Sequence, residues 1–366
     1  MSKPLKLILA IDTSCDDTSA GIVSGTKVLA NVIASQVELH RKWGGVVPDI
    51  ARRAHQENID LVIKEALQRA SINAKKLLTL SSLDAVAVTY GPGLAIALEI
   101  GIAKAQEIAL QYKISLIPVN HMEGHLLSSL GANLKGVAPI KLSDKDFPVM
   151  GLLISGGHTE LVLVHELGKY EVIGETLDDA IGEAYDKVAR MLNLGYPGGA
   201  VVTELAKLGD PEKFPFTVPM LKNKTLNFSY SGLKTAVFYF LKEFRAKNSE
   251  LTKQEVCDVA ASFEKAAIKH LSARLSMALE QYPVKILLVG GGVTASAKVR
   301  AEIRKITTKF GAVAYFAFDR RLFNDNGAMI GIAAHFMAER KEFRFETLEE
   351  IDREPRARLE AVDGRQ

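Results

Sequence analysis

Apolar stretches of strand length alternate along this chain with short turns that are polar or rich in glycine. Two segments, 7–23 and 149–164, have the same form: an apolar strand, a short turn and a returning apolar strand. A third apolar stretch, 285–289, leads into three consecutive glycines and then a helix-like segment. The first form predicts a β-hairpin, and glycines between a strand and a helix allow a ligand to approach the backbone. The pattern predicts a mixed α/β protein with three candidate ligand loops.

Other apolar residues recur at helical or strand-like spacing between these loops. We predict the principal further helices at 49–70, 94–111 and 258–279. We predict further strands at 28–38, 83–89 and 115–119. Segment 174–191 is acidic at first and then helical, and we assign its early acids Asp178, Asp179 and Glu183 to the N-terminal face of that helix.

The polar segment 131–147 predicts a crossing between two domains. The first domain is then 1–130, joined by a last helix at 325–340 that returns to it, and the second is 147–324. The remaining 341–366 alternates charges with few large apolar residues. It predicts a charged C-terminal tail, as a solvated helix or a partly disordered segment.

Composition narrows the class of protein. The chain has 366 residues, 48% hydrophobic and 24% charged, which is typical of a globular protein with room for two domains. Its net charge of +3 is too small to indicate nucleic-acid binding by itself. The two cysteines are too few for a disulfide framework, and we find no membrane span or convincing signal peptide. We expect a cytoplasmic protein.

Two histidines indicate metal chemistry. His121 and His125 are four residues apart, so both imidazoles lie on one face if the segment is helical. Met122 follows the first histidine, so the HExxH motif of zinc proteases is absent, and Glu123 points away from the pair. A metal needs a further ligand, and Asp325 is the best distant candidate. Chance spacing of the two histidines remains the alternative.

The turns of the two hairpins differ in chemistry. The first, after Asp12, is rich in hydroxyl groups and acids and suits a phosphate or a metal-bound water. Asp12 itself repels a bare phosphate, so we expect it to act through a cation or a water molecule. The second, 155–159, contains two glycines whose N–H groups can form an anion-binding nest. Ordinary hairpin turns are the alternative for both.

Two stretches mix basic groups with other recognition chemistry. Cations at the start of a helix oppose its dipole, so those at the start of segment 49–70 lack a structural reason and either face nucleic acid or form plain surface. These cations are Arg52, Arg53 and His55, and His40, which precedes the segment, is a further candidate to face nucleic acid. Segment 221–234 interleaves lysines with Phe228 and Tyr230, which suits a nucleic-acid strand or, again, plain surface.

The motifs taken together closely resemble the TsaD family of universal tRNA N6-adenosine threonylcarbamoyltransferases, formerly called O-sialoglycoprotein endopeptidases. The matching stretches, in the family's order, are IDTSCDDTSAGIV, HRKWGGVVPDIARRAH, GPGL, NHMEGHLLS, LISGGHTELVLV, GETLDDAIGEAYDKVARMLNLGYPGG, FSYSGLKTAV, GGGVTAS and DNGAMI. The resemblance implies an actin/Hsp70/sugar-kinase-like (ASKHA) α/β fold. That fold has two RNase H-like domains with the ligand site in the cleft between them.

The resemblance also implies a reaction. A threonylcarbamoyl group passes from threonylcarbamoyl-AMP to N6 of adenosine 37 in tRNAs that read ANN codons, and AMP leaves. His121, His125 and Asp325 would hold one divalent metal, Fe²⁺ or Zn²⁺, with Asp12 and Ser14 as the catalytic residues beside it. The residues implied in adenylate binding are Leu153, Ile154, Ser155, Gly156, Gly157, Asp186, Gly199, Gly291, Gly292 and Ser296.

The implied partners are tRNA and either a TsaB-like inactive paralogue with a TsaE-like ATPase, or a second copy of the chain. A separate synthase would supply the threonylcarbamoyl-AMP, and no membrane is involved. The chain departs from the family at Ser296, where asparagine is usual, and at Phe323-Asn324, where Cys-Thr is common. An ATP-dependent sugar or acid kinase of the same superfold and a nucleotide-gated scaffold remain alternatives. A metalloprotease is disfavoured by the missing HExxH.

Overall fold

The computed structural model describes residues 6–221, 223–247, 250–341 and 350–359. Two five-stranded mixed sheets form its framework. The first sheet consists of β1 (Leu7–Asp12), β2 (Asp17–Ser24), β3 (Lys27–Ser35), β4 (Ala85–Gly91) and β5 (Ser115–Asn120). The second sheet consists of β6 (Val149–Ile154), β7 (Thr159–Glu166), β8 (Lys169–Glu175), β9 (Ile286–Gly290) and β10 (Val313–Phe316).

The two sheets share one strand order. The first runs β3-β2-β1-β4-β5, and the second, read from its other edge, runs β8-β7-β6-β9-β10. In each sheet, three strands that are consecutive in the chain pair in antiparallel fashion. The other two strands run parallel to the earliest of the three, which is β1 in the first sheet and β6 in the second. Strands β1 and β6 are buried almost throughout, because helices or other strands cover both faces. The prediction of a mixed α/β protein built on two hairpins is confirmed.

Ten α-helices lie in the described residues. They are α1 (Val37–Arg41), α2 (Pro48–Ala74), α3 (Ala95–Tyr112), α4 (His121–Leu127), α5 (Ile181–Met191), α6 (Gly199–Ala206), α7 (Ser231–Lys247), α8 (Lys253–Gln281), α9 (Ala297–Lys309) and α10 (Gly327–Arg340). Side-chain caps begin α4, α8, α9 and α10. Pro48 opens α2, where its missing N–H costs nothing. Asn326 caps α10 by accepting a hydrogen bond from the N–H of Met329 at 2.9 Å.

Two predictions about local structure need correction. The strand predicted over 28–38 ends at Ser35, and the short helix α1 takes over the polar end of that segment. Asp178 does not serve its own helix: its carboxylate accepts hydrogen bonds from the N–H groups of Tyr230 and Ser231 at 2.9 and 3.1 Å, at the start of α7. An acid can satisfy any helix N-terminus that tertiary packing brings within reach.

The prediction for the C-terminal tail is wrong for 350–359, which pack on the body of the protein; we call them the C-terminal strap. Ile351 and Leu359 are each 4% exposed and join two different hydrophobic clusters. The N–H of Glu354 donates to the Tyr90 carbonyl at 2.8 Å, and the N–H of Gly93 donates to the Pro355 carbonyl at 3.2 Å. Two apolar anchors and main-chain hydrogen bonds therefore hold this charged segment. Residues 342–349 and 360–366 lie outside the described residues.

The close approach of β9 to α4 places the candidate histidines against the second sheet. A Cβ atom on Gly290 would lie 2.2 Å from the His125 carbonyl oxygen, so no larger residue fits there. Helix α10, which begins directly after Asp325, packs against β1, β2 and α4. The three candidate metal ligands therefore meet where α10 packs against α4, the helix that contacts both sheets. Nowhere in the described ranges does a helix combine the length and apolarity needed to cross a membrane.

Candidate functional site

The structure brings His121, His125 and Asp325 together. One ligand atom from each lies within 4.8 Å of the others. His125 Nε2 is 3.0 Å and His121 Nε2 is 3.4 Å from Asp325 Oδ1. Ligand atoms that each lie about 2.0–2.1 Å from one tetrahedral metal are about 3.3 Å apart, so this spacing suits a single shared cation. Helix α4 supplies the histidines at i and i+4, as the sequence predicts.

The charges in this cluster are strongly coupled. Burial opposes a charge on His121, but Asp325 and Asp12 outweigh it and raise its pKa to about 10. Burial and the neighbouring His121 lower the pKa of His125. Although burial opposes ionisation, the two histidines lower the pKa of Asp325 well below its usual range. The cluster thus stabilises an ionised Asp325 carboxylate. A cation binding here would displace the proton that the two acids favour on His121, because a metal binds the neutral imidazole.

Unpaired buried atoms surround the same point. Among the described residues, Asp12 Oδ2, Ser14 Oγ and the Nδ1 atoms of both histidines are buried with no hydrogen-bond partner. Asp12 Oδ1 lies 3.6 Å from His121 Nδ1 and accepts a hydrogen bond from the N–H of Ser14 at 3.2 Å. Buried polar atoms without partners are costly, so their concentration here indicates a space built for a polar ligand or ion.

The acid between the two histidines belongs to a different network. The Oε1 atom of Glu123 accepts a hydrogen bond from the Tyr170 hydroxyl at 2.7 Å and pairs with Arg340 Nη2 at 3.2 Å. The Glu123 carboxylate is therefore bound between α4, β8 and α10, away from the metal cluster. This agrees with the prediction that the site lacks the general base of a zinc protease.

The glycine turn between β6 and β7 is open where its glycines lie. A Cβ atom on Gly156 or Gly157 would meet no atom within 4 Å. The N–H groups of Ser155 and His158 are used inside the turn, donating to the His158 carbonyl at 2.8 Å and to Ser155 Oγ at 3.1 Å. The nest predicted over the whole turn therefore narrows to the N–H groups of the two glycines. The side chains of Leu153 and Ile154 are fully buried, so only their backbone can face a ligand.

The third candidate ligand loop, which follows β9, also has a role in packing. A Cβ atom on Gly291 would lie 2.5 Å from the Ile154 carbonyl oxygen, and one on Gly292 would lie 2.8 Å from Asn324 Oδ1. The Ser296 hydroxyl accepts a hydrogen bond from the N–H of Val299 at 3.4 Å and caps α9. Gly291 and Gly292 let this loop lie directly against the end of β6 and the residue before Asp325.

Asp186, on α5, holds the start of α6 in place. Its Oδ1 accepts hydrogen bonds from the N–H groups of Gly198 and Gly199 at 2.8 and 3.0 Å, at the start of α6. Burial raises its pKa, and the two N–H donors oppose that rise. Gly199 lies beside α5, where a Cβ atom would come 3.7 Å from Cβ of Tyr185. Asp186 and Gly199, predicted to act together, are directly hydrogen-bonded.

The predicted tRNA-facing residues separate into two pairs. Arg52 and Arg53 are exposed on α2. His40 and His55 are fully buried, so the prediction of a tRNA-facing position is wrong for their side chains. Phe228 and Tyr230 are likewise fully buried, which removes the aromatic groups expected to contact nucleic acid in 221–234; Lys222 of that segment lies outside the described residues. A sequence motif does not show which face of a segment turns inward.

Three further residues at the site were not among the predicted set. Burial and the charges of His121 and His125 lower the pKa of His158 to about 4, so it is uncharged at neutral pH. The Tyr196 hydroxyl donates to Asp16 Oδ2 at 3.4 Å, and Arg190 Nη2 donates to the Gly44 carbonyl. Both contacts join the first-sheet loops to the segment around α5. His158 lies inside the matched motif LISGGHTELVLV, which is the signal that could have identified it.

Comparison with known proteins assigns the family. The family model for tRNA N6-adenosine threonylcarbamoyltransferase, TsaD, matches residues 27–332. A protein of that name from Streptococcus thermophilus is 43% identical over 339 residues, covering 92% of this chain and 94% of the relative. Another from Clostridioides difficile is 41% identical over 331 residues, covering 90% and 92%.

A solved structure supports the fold alone. HypF from T. kodakarensis superposes with a TM-score of 0.59 at 14% identity, over 95% of this chain and 50% of that one, so the chain spans half of that longer protein. The predicted ASKHA-like α/β class is confirmed by this likeness and by the two mixed sheets. Given the matched model and the relatives above 40% identity, the chain belongs to the TsaD family of tRNA N6-adenosine threonylcarbamoyltransferases.

Proposed function

We propose that the protein transfers a threonylcarbamoyl group from threonylcarbamoyl-AMP to N6 of adenosine 37 in tRNAs that read ANN codons. The bond between the carbamoyl carbon and a phosphate oxygen breaks, a carbon–nitrogen bond forms, the amine loses a proton, and AMP leaves. The observation that carries this proposal is the cluster of the buried His121 and His125 with the half-buried Asp325, which lies beside unpaired atoms of Asp12 and Ser14.

The donor set of the cluster fits one divalent metal. Two imidazole nitrogens and one carboxylate oxygen are ligands that both Zn²⁺ and Fe²⁺ accept, with positions left open for substrate or water. A bound metal would polarise the acyl-phosphate and neutralise the charge that develops on the departing AMP. We propose Fe²⁺ or Zn²⁺ as the resident ion.

The chain's own groups hold the donor. The N–H groups of Gly156 and Gly157, two exposed residues of the turn, face the developing negative charge. Asp12 and Ser14 orient the reacting groups beside the metal cluster. The adenylate lies between the remaining predicted residues, which are Leu153, Ile154, Ser155, Asp186, Gly199, Gly291, Gly292 and Ser296. Much of the remaining catalysis is positioning of the amine against the carbamoyl carbon.

We propose that two actin-like domains flank this site: 1–130 with 325–340, and 147–324. The packing of α10 against β1 and β2 supports the assignment of the last helix to the first domain. The proposed partners are tRNA, a separate threonylcarbamoyl-AMP synthase, and either a TsaB-like paralogue with a TsaE-like ATPase or a second copy of the chain. We place the reaction in the cytoplasm.

A transfer assay tests this function. Purified protein, threonylcarbamoyl-AMP and an unmodified tRNA that reads an ANN codon are incubated, and the nucleosides are analysed by mass spectrometry. Product from the protein alone supports transfer by a homodimer, whereas product only with the paralogue and the ATPase supports the multi-protein form. No product in either mixture contradicts the proposal and favours the kinase or scaffold alternative.

Two histidine variants make the assay specific. His121→Ala should abolish transfer and reduce bound metal while the protein stays folded. His165→Ala is the matched control, because His165 lies on the surface of β7 and pairs there with Glu171 at 2.9 Å. Full transfer in metal-stripped buffer would contradict the role of the metal.

A further inference from the structure

The single tryptophan of the chain lies on the surface. Trp43 is 60% exposed in the loop that follows α1. Lys42 Nζ lies 5.3 Å from the centroid of its ring, and Arg41, Arg52 and Arg53 are also exposed. An exposed aromatic ring among cations is typical of sites that stack nucleic-acid bases and track the phosphate backbone. We call these five residues the Trp43 surface.

Acids only partly offset this positive charge. Glu38 pairs with Arg41 at 2.8 Å, and Asp49 is exposed in the first turn of α2. The surface therefore keeps an excess of cations, and one further large apolar side chain, Leu39 on α1, is 48% exposed close to it in the chain. The excess of positive charge favours a nucleic acid over an apolar protein partner, since charged residues are depleted at the core of protein interfaces.

Two buried histidines flank the loop, and one of them, His40, is hydrogen-bonded to it. His40 Nδ1 accepts a hydrogen bond from the N–H of Val47 at 3.2 Å, and His40 Nε2 lies 3.2 Å from Gln36 Oε1. His55 bonds to Thr18 Oγ1 at 2.8 Å and to the Cys15 carbonyl at 3.0 Å. The ring of Trp43 is thus presented on a fixed support, which lowers the entropy lost when a ligand binds.

The surface lies beside the candidate active site. The carbonyl of Gly44, next to Trp43, accepts a hydrogen bond from Arg190 on α5. Arg190 is one helical turn beyond Asp186, which holds the start of α6 at the proposed adenylate pocket. A nucleic-acid loop stacked on Trp43 would therefore lie next to the entrance through which its adenosine must reach the donor.

We propose that the Trp43 surface receives the anticodon loop of the tRNA substrate, with Trp43 stacking on a base and the four cations facing the phosphates. The proposal rests on the proposed function, because it names where that substrate is held. His40 then acts beneath this surface as support. Arg52 and Arg53 keep the role predicted for them.

The intrinsic fluorescence of Trp43 provides a direct test. No other tryptophan contributes, so titration of the full chain with unmodified anticodon stem-loop RNA should quench its emission saturably. Base stacking on an aromatic ring is lost in Trp43→Ala, and we expect affinity for labelled RNA, measured by anisotropy, to fall about 5- to 100-fold. Trp43→Phe keeps a stacking ring and should retain most of the affinity.

A control and a kinetic measurement separate this inference from the proposed function. Tyr239→Ala removes an exposed ring on α7, where Tyr239 is 56% exposed, and should leave RNA affinity unchanged. In the transfer assay, with partners added if the chain needs them, Trp43→Ala should raise KM for tRNA and leave KM for threonylcarbamoyl-AMP unchanged.

Each remaining outcome contradicts either the role of the Trp43 surface or the proposed transfer reaction. RNA binding by anisotropy with unchanged Trp43 emission, or transfer with an unchanged KM for tRNA in Trp43→Ala, overturns the Trp43 surface and leaves the function intact. Loss of self-association in Trp43→Ala with unchanged RNA affinity overturns it in favour of a protein interface. Stacking of RNA on Trp43 without any transfer supports the surface and contradicts the proposed reaction.

Discussion

Two turns occupy equivalent places in sheets of the same strand order, yet their surroundings are opposite. The acidic turn joins β1 to β2, and its Asp12 is fully buried beneath neighbouring loops. The glycine turn joins β6 to β7, and a Cβ atom on either of its glycines would meet empty space. The same strand order thus supports a buried turn that carries charge in the first sheet and an exposed turn of bare backbone in the second.

The difference assigns separate tasks to the two sides. Asp12 lies against His121, so the acidic turn belongs to the metal cluster and influences its charge. The glycine turn carries no acid and keeps two N–H groups in the open, which suits the phosphate of the donor. Removing a charged side chain should therefore impair the function of the acidic turn, and adding a bulky side chain should impair the function of the glycine turn.

The largest expected effect is on the charged side. Asp325→Ala removes the carboxylate that both histidines approach, so we expect loss of bound metal and a fall in transfer of about 100- to 1000-fold or more, since metal polarisation contributes several kcal/mol. Metal content by mass spectrometry and the transfer rate measure it. Asp319→Ala, in the same loop but paired with Arg321 at 2.6 Å, is the control. Normal metal content in Asp325→Ala would remove the cluster from the mechanism.

The next effect is on the open side. Gly157→Leu should fold normally, because Gly157 has no neighbour within 4 Å of a Cβ atom and its φ lies outside the left-handed region. Its side chain would project into the space of the donor phosphate, and KM for threonylcarbamoyl-AMP should rise by about 100-fold. Gly232→Leu, at another open glycine on α7, should leave KM unchanged. An unchanged KM in Gly157→Leu would mean that the donor does not use this turn.

A smaller expected effect is on stability, because the same kind of substitution should destabilise the protein more near the acidic turn than in the glycine turn. A Cβ atom on Gly93 would lie 2.5 Å from the Ser14 carbonyl oxygen, so Gly93→Ala should push the acidic turn out of place. We expect the free energy of unfolding to fall by about 1–3 kcal/mol in urea titrations. Gly157→Ala should cost much less. Equal stability of the two variants would contradict the contrast between a closed and an open turn.

The smallest effect concerns pH. Burial, reinforced by Asp16, raises the pKa of Asp17 to about 7, although the Ser35 hydroxyl opposes the rise. Because the folded pKa exceeds the unfolded one, the folded state holds the extra proton between about pH 4 and 7, and this contribution to stability is lost as pH rises through that range.

Asp17→Asn removes this titration, so it should gain stability over the parent between pH 5 and pH 8, on the order of 1 kcal/mol. Thermal unfolding at both pH values measures the difference. Ser155→Ala in the glycine turn, which has no titrating carboxylate, should show the same difference from the parent at both values. A pH-independent difference for Asp17→Asn would show that Asp17 is ionised throughout.

The framework could be predicted from the sequence because its signals are local. Alternating strand-length runs and turns gave both hairpins, and the spacing of His121 and His125 placed them on one face of α4. Asp325 lies 200 residues further on, and only its motif suggested it as the third ligand. Local periodicity and matched motifs were sufficient wherever a residue's role depends on its immediate neighbours.

The errors concern facts that only tertiary packing decides. His40 and His55 lie in a basic motif, but the loop turns them inward and leaves Trp43 outside. Asp178 precedes one helix and caps another. In the glycine turn, the N–H groups of Ser155 and His158 are consumed by hydrogen bonds that close the turn itself. None of these choices has a signature in composition or spacing.

The C-terminal strap lies beyond the end of the family match, yet it is part of the packed structure. The family match ends at residue 332, whereas the main chain at Glu354 and Pro355 is hydrogen-bonded to the loop after β4. Gly93 in that loop touches Ser14, so the strap is one layer removed from the acidic turn. A shortened version cut at the edge of the alignment would leave that loop without its cover. The family model therefore ends before a segment that packs on the body of the protein.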